Sequence, residues 1–200
     1  MTKSAGGTAI QSSEGIKKRF RVDDLKTAVI TVLFGVVGAV LFALIHSIPM
    51  PFTMVSLLKF GLYPALAIIA VLGAIRGPLA GFLSGYFGIV LYDLLFFNTV
   101  VSMTLPALAY GMLGLVVGLA TYNLANGRSL AKLSLLSAVG LVFTACIAVM
   151  FGLFIDQHSV LLELGFVMLP LFTVGLPSVV LITPIYARIW QIISMSIQTS

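Results

Sequence analysis

Charge is what this chain has least of. Only 8% of its 200 residues are Asp, Glu, Lys or Arg, while 60% are hydrophobic. A water-soluble domain carries about 25% charged residues. So few charges cannot cover a surface that faces water, and most of the chain is expected to face lipid. Cysteine is scarcer still. Cys146 stands alone in an apolar run, which excludes an internal disulfide and a cysteine-based metal site. The sequence has no G-x-x-x-x-G-K-[ST] loop, so ATP hydrolysis by that route is excluded. Its apolar runs are continuous. Barrel strands instead alternate apolar and polar positions over about 10 residues.

Six hydrophobic segments are present, enough for a six-transmembrane-helix bundle, an all-α membrane protein. They are Thr27 to Ile45, about Phe52 to Ile75, Gly77 to about Phe97, about Leu105 to Leu124, Leu133 to Ile155, and about Leu164 to Trp190. The second carries Pro49 and Pro51 before it and Lys59 and Pro64 within it, which predicts a broken or partly re-entrant start. Residues 1–24 read as a polar cytoplasmic tail without the apolar stretch of a signal peptide. Residues 25–193 read as one membrane domain, and 194–200 as a C-terminal tail.

An even number of spans puts both termini on one side. The basic residues choose the side. Lys3, Lys17, Lys18, Arg19, Arg21, Lys26, Arg76, Arg128, Lys132 and Arg188 all fall on the side of the termini, which leaves only Lys59 elsewhere. The positive-inside rule makes that side cytoplasmic. The net charge of +5 is therefore an orientation signal, and no nucleic-acid partner is expected.

Lipid supplies no hydrophobic drive between helices, so rows of small residues mark close contacts. The first segment has Thr27, Thr31, Gly35, Ala39 and Ala43 at i, i+4 spacing, widened by Gly38. The third has Gly77, Gly81 and Gly85. The expected role of the third-segment row is packing inside this bundle. In the sixth segment Pro170, Pro177 and Pro184 recur every seven residues and share one helix face. They predict a bent helix, which either lines a cavity or is simply tolerated.

The stretch from Gly73 to Asp93 carries a resemblance. Its Gly73, Arg76, Gly77-Pro78, Gly81, Gly85, Gly88 and Asp93 resemble the second-to-third helix hairpin of the substrate-binding S components of energy-coupling factor (ECF) transporters. Size, six segments and inside termini agree, over about residues 25–193. The resemblance implies a subunit in a prokaryotic cell membrane that captures a micronutrient, usually a vitamin or a metal ion, at the outer face. Its implied partners are a membrane coupling subunit and two cytoplasmic ATPases. It also implies that a small-xxx-small motif on the first helix docks on the coupling subunit. The match here is Gly35 and Ala39, extended by Thr31 and Ala43.

In that family the pocket lies near the outer surface. The residue inventory there gives Lys59, Tyr92, Asp93, Asn98, Thr104, Tyr110, Gln157 and His158 as candidate substrate-binding residues, with His46, Asp156 and Glu163 nearby. Phe52, Tyr110 and Phe166 could stack on a ring, and Trp190 is expected to be a cytoplasmic-side anchor. Lys59 and Asp93 are the two charges deep in apolar sequence, expected to pair or to face the pocket. Metal-transporting relatives carry early histidines. This chain has only His46 and His158, each expected to be an interfacial histidine, so an organic substrate is favoured, with no metal and no cofactor. An intramembrane enzyme would need a catalytic group set at membrane depth, and Lys59 with Asp93 supplies none. The alternatives are a stand-alone ion-coupled carrier with Asp93 as relay and a structural membrane subunit.

Overall fold

The structure, a computed structural model, describes residues 20, 23–49, 52–55, 58–98 and 104–198. Its elements run α1 (Leu25–His46), a hairpin of β1 (Phe52–Val55) and β2 (Leu58–Gly61), α2 (Pro64–Arg76), α3 (Pro78–Phe97), α4 (Thr104–Gly118) and α5 (Gly127–Phe154). A last helical run follows: α6 (Val160–Leu162), two π-helical stretches (Glu163–Met168 and Leu171–Gly175), and α7 (Leu176–Gln198). Among the described residues, four runs are long and apolar enough to cross a membrane: Leu25–His46, Pro78–Phe97, Gly127–Phe154 and Val160–Ile197. Two more apolar helices, α2 and α4, are shorter.

The second hydrophobic segment is not one helix. Its first part is the antiparallel hairpin, paired from Phe52↔Gly61 to Val55↔Leu58. Only Pro64–Arg76 is helical, 13 residues. At 1.5 Å per residue that reaches about 20 Å, short of the ~30 Å hydrocarbon core. Proline at the first helical position has no donor to lose there, so the helix starts cleanly below the hairpin. The expected fourth segment also ends early. Its helix stops at Gly118, and residues 119–126 form a turn in place of the predicted continuation to Leu124. The last helix is longer than expected and runs to Gln198.

The α2–α3 turn follows its sequence. Gly77 has φ 98°, which favours glycine, and its N–H donates to Gly73 O at 2.9 Å. Pro78 then opens α3. Three helices meet at this corner with no side chain between them. A Cβ on Gly81 would lie 2.7 Å from both Gly114 C and Gly73 Cα, and one on Gly85 would lie 2.7 Å from Tyr110 C. The third-segment glycine row is therefore a packing face, as expected. Around it lies an apolar core that includes Phe42, Leu66, Ile69, Leu113, Leu133 and Leu141.

Two of the three prolines expected to bend the last helix, Pro170 and Pro177, sit beside its wide turns. Proline lacks an N–H and its ring clashes with the carbonyl four residues back. For Pro170 that residue is Phe166, and for Pro177 it is Thr173, both within π-helical stretches. Hydroxyls supply some of the donors. Thr173 Oγ1 donates to Leu169 O at 3.0 Å, and Ser178 Oγ to Val174 O at 2.6 Å. Such self-satisfaction is what a lipid setting demands. Pro184 sits inside α7 without a wide turn.

The two ends of the bundle differ in chemistry. One holds the hairpin. The other holds Arg76, Arg128, Lys132 and Arg188. At this basic end the Arg76 guanidinium lies 5.4 Å from the Phe34 ring centroid, and Phe34 meets Trp190 edge-on at 5.8 Å. Tyr122 O–H donates to Val117 O at 2.8 Å, and burial pushes its phenol above the usual range. Lys132 Nζ sits 5.6 Å from the Tyr122 ring centroid.

Candidate functional site

At the hairpin end α1 finishes on His46, and that ring is held from several sides. The Tyr92 ring of α3 lies 4.0 Å from it between centroids, Tyr63 5.1 Å and Phe42 5.3 Å. His46 Nδ1 and the Tyr63 hydroxyl are hydrogen-bonded. The Tyr63 backbone N–H donates to Ser178 Oγ of α7. The residue just before α2 thus ties α1 to the last helix.

Next to this tie lies a hollow of about 490 Å³. His46, Tyr63 and Tyr110 give it polar edges; Leu66, Phe166 and Val174 are among its apolar walls. Ligand sites are commonly about 300–1,000 Å³, mostly apolar, with a few placed polar groups. The wall from the last helix includes Phe166, Val167, Pro170, Leu171, Val174 and Gly175, a stretch spanning both wide turns. π-helical turns in other helices also concentrate at functional positions. Of the two expectations for the prolines, cavity lining holds at Pro170. A larger hollow of about 1,390 Å³ opens at the basic end, bordered by Thr27, Tyr122, Lys132, Trp190 and the 119–125 turn.

The predicted site residues scatter. Tyr110 lines the hollow, and Tyr92 stands behind the lining, packed on His46. Asp93 is 3% exposed in α3, and its Oδ2 has no hydrogen-bond partner among the described residues. The side chains of Lys59 and Thr104 lie outside the described residues, so their expected roles, the pairing of Lys59 with Asp93 among them, do too. Asn98 caps α3 in the left-handed region at φ 53°, exposed. Gln157, φ 55°, is exposed on the turn after α5. His158 Nδ1 lies 2.7 Å from Glu163 Oε1, away from the hollow's lining. Tyr63 was not among the candidates. Its position before a helix-opening proline was the available signal.

The row on α1 packs within this chain. Thr31, Gly35, Gly38, Ala39 and Ala43 are all buried against the rest of this chain. A Cβ on Gly35 would stand 2.8 Å from Leu83 Cβ of α3, and one on Gly38 2.9 Å from Ser84 Cβ. The row's neighbours in this chain are α3 and, at Gly38, Leu72 of α2. The exposed face of α1 carries large residues such as Val29, Leu33, Val36, Val40 and Leu44. Gly35→Leu should therefore destabilise the isolated chain by about 1–3 kcal/mol, lowering its melting temperature in detergent before any partner is added. An unchanged melting temperature would contradict this placement.

An amphipathic hollow at one end of an apolar helical bundle defines the class, a membrane protein that holds a small molecule. The comparison with known families then narrows it. The family described as ECF-type riboflavin transporter, S component, matches residues 25–197. The chain belongs to that family: transporter subunits that bind a vitamin, and not enzymes. No curated protein and no solved structure matches it.

Proposed function

We propose that this chain captures riboflavin at the outer face of a prokaryotic cell membrane and hands it to an ATP-driven importer. The bundle spans the membrane six times, with α2 and α4 as short spans and both termini inside. The basic end is then cytoplasmic and the hairpin end outside. This orientation makes the 490 Å³ hollow, and not the larger one, accessible from outside. The observation that carries the reading is this hollow's lining, in a chain matched over 25–197 by a riboflavin S component family. Flavin is a flat aromatic ring with polar edges. Tyr110 and Phe166 offer faces for stacking, while His46 and Tyr63 offer polar atoms for the ring edge or the ribityl chain.

Energy comes from elsewhere, through a membrane coupling subunit and two ATPases. In the chain by itself the α1 small-residue row lies against α3. The purified chain should quench riboflavin fluorescence one-to-one with a Kd below about 1 μM, near −8.2 kcal/mol. Uptake into vesicles should require the coupling and ATPase subunits. One observation favours a second reading, the buried Asp93 with an unpartnered oxygen as an ion relay. Riboflavin uptake by the chain alone, abolished by a protonophore, would favour that reading and overturn ours.

A further inference from the structure

Glu163 is 2% exposed, at the first position of the first wide turn. A carboxylate is rarely buried without a reason, since removing it from water is costly unless it is paired. Two features hold this one. His158 Nδ1 lies 2.7 Å from Oε1, and Gly152 of α5 leaves a notch where the carboxylate sits. Any Cβ on Gly152 would collide with the Glu163 carboxyl group. The turn between them is closed as well. The His158 N–H donates to Gly152 O at 2.9 Å, and the Glu163 N–H to Ser159 O at 3.1 Å. Oε2 is buried with no hydrogen-bond partner among the described residues. The carboxylate therefore holds its place through one of its two oxygens.

The consequence lies one turn further on. Glu163 starts the stretch that carries Phe166 and Val167 into the hollow, followed by Pro170. Wide turns lack the tight i→i−4 ladder that fixes an ordinary helix, so their position depends on what holds their ends. Pro170 removes a donor at the far end. The near end is held by Glu163. Phe166 itself is 79% exposed, and packing does not fix it.

We propose that Glu163 is a positioning residue for the ligand. Latched by His158 in the Gly152 notch, it sets where the wide-turn wall of the 490 Å³ hollow stands. This rests on the reading that the hollow is the riboflavin site. Latch residues touch no ligand. They govern how long the wall stays closed over it, so their loss acts on the dissociation rate.

The test is riboflavin fluorescence titration and stopped-flow dissociation on the full chain in detergent. Glu163→Gln and Gly152→Ala should each raise Kd by about tenfold or more, with the change in the off-rate. Gly152→Ala leaves the carboxylate chemistry intact and only displaces it. His158→Leu should reproduce the loss. His158→Asn, whose amide still donates to Glu163, should stay within about twofold of the parent chain, a rescue that mere packing would not give. His158 is 47% exposed, so this pair remains informative even where a Glu163 variant fails to fold. Equal binding by His158→Leu and His158→Asn overturns the latch. So do unchanged off-rates in Glu163→Gln and Gly152→Ala. Normal binding by a variant that fills the hollow, Val174→Trp, instead overturns the site reading itself.

Discussion

Gly114→Leu should leave no folded protein to purify. In an ordinary core an oversized side chain costs about 1–3 kcal/mol, because neighbouring side chains shift to admit it. Here nothing can shift cheaply. The atoms nearest a Cβ on Gly114 are the Gly81 Cα, C and O of α3, all backbone. Gly73 of α2 is held against Gly114 O, so α2 is displaced with them. The insertion must part α4 from two helices at once. Against a total stability of about 5–15 kcal/mol, that should remove the monodisperse peak on gel filtration in detergent. Gly165→Ala is the matched control, because a Cβ there meets nothing within 4 Å. It should be neutral or stabilising by up to about 1 kcal/mol. A Gly114→Leu variant melting within about 4 °C of the parent would contradict the seam, since 1 kcal/mol moves a chain of this size by about 2–4 °C.

Val174→Trp should abolish riboflavin binding while the fold survives. Val174 lines the hollow from the second wide turn and is partly exposed. An indole there grows into open space and takes the volume the flavin ring needs. A loss of at least about a hundredfold in affinity, roughly 2.7 kcal/mol, is expected. The melting temperature of the ligand-free chain should stay within about 4 °C. Loss of folding together with binding would mean that the position is core and not cavity.

The charge pattern made much of the fold legible. Arg76, Arg128 and Lys132 sit at helix junctions because Lys and Arg are costly inside lipid, and so they mark ends. Small-residue rows were legible as close contacts, but their partners were not. Gly81 and Thr31 obey the same spacing rule, and spacing does not name the opposing helix. The hairpin was hidden because residues 52–61 form a short apolar run whose period fits helix or strand equally. The site was hidden for a different reason. His46, Tyr63, Tyr110 and Phe166 converge from four separate parts of the chain. No local pattern encodes that convergence. The bend at Pro170 was visible, whereas no local pattern marks the wide turns that accompany it.

The glycine seam has a consequence for how such a chain can change over generations. At Gly73, Gly81, Gly85, Gly114 and Gly118 the backbone of one helix stands where any side chain would begin. Those positions are closed to substitution. Of the 14 described residues lining the hollow, α3 and α4 contribute one, Tyr110. The rest come from the end of α1 and the residues after it, the hairpin, the start of α2 and the wide turns. The part that must stay fixed and the part that meets the ligand hardly overlap. Exposed lining positions such as Ile48, Leu62 and Phe166 can drift toward another vitamin one at a time, each step tested for binding, without reopening the question of whether the chain folds.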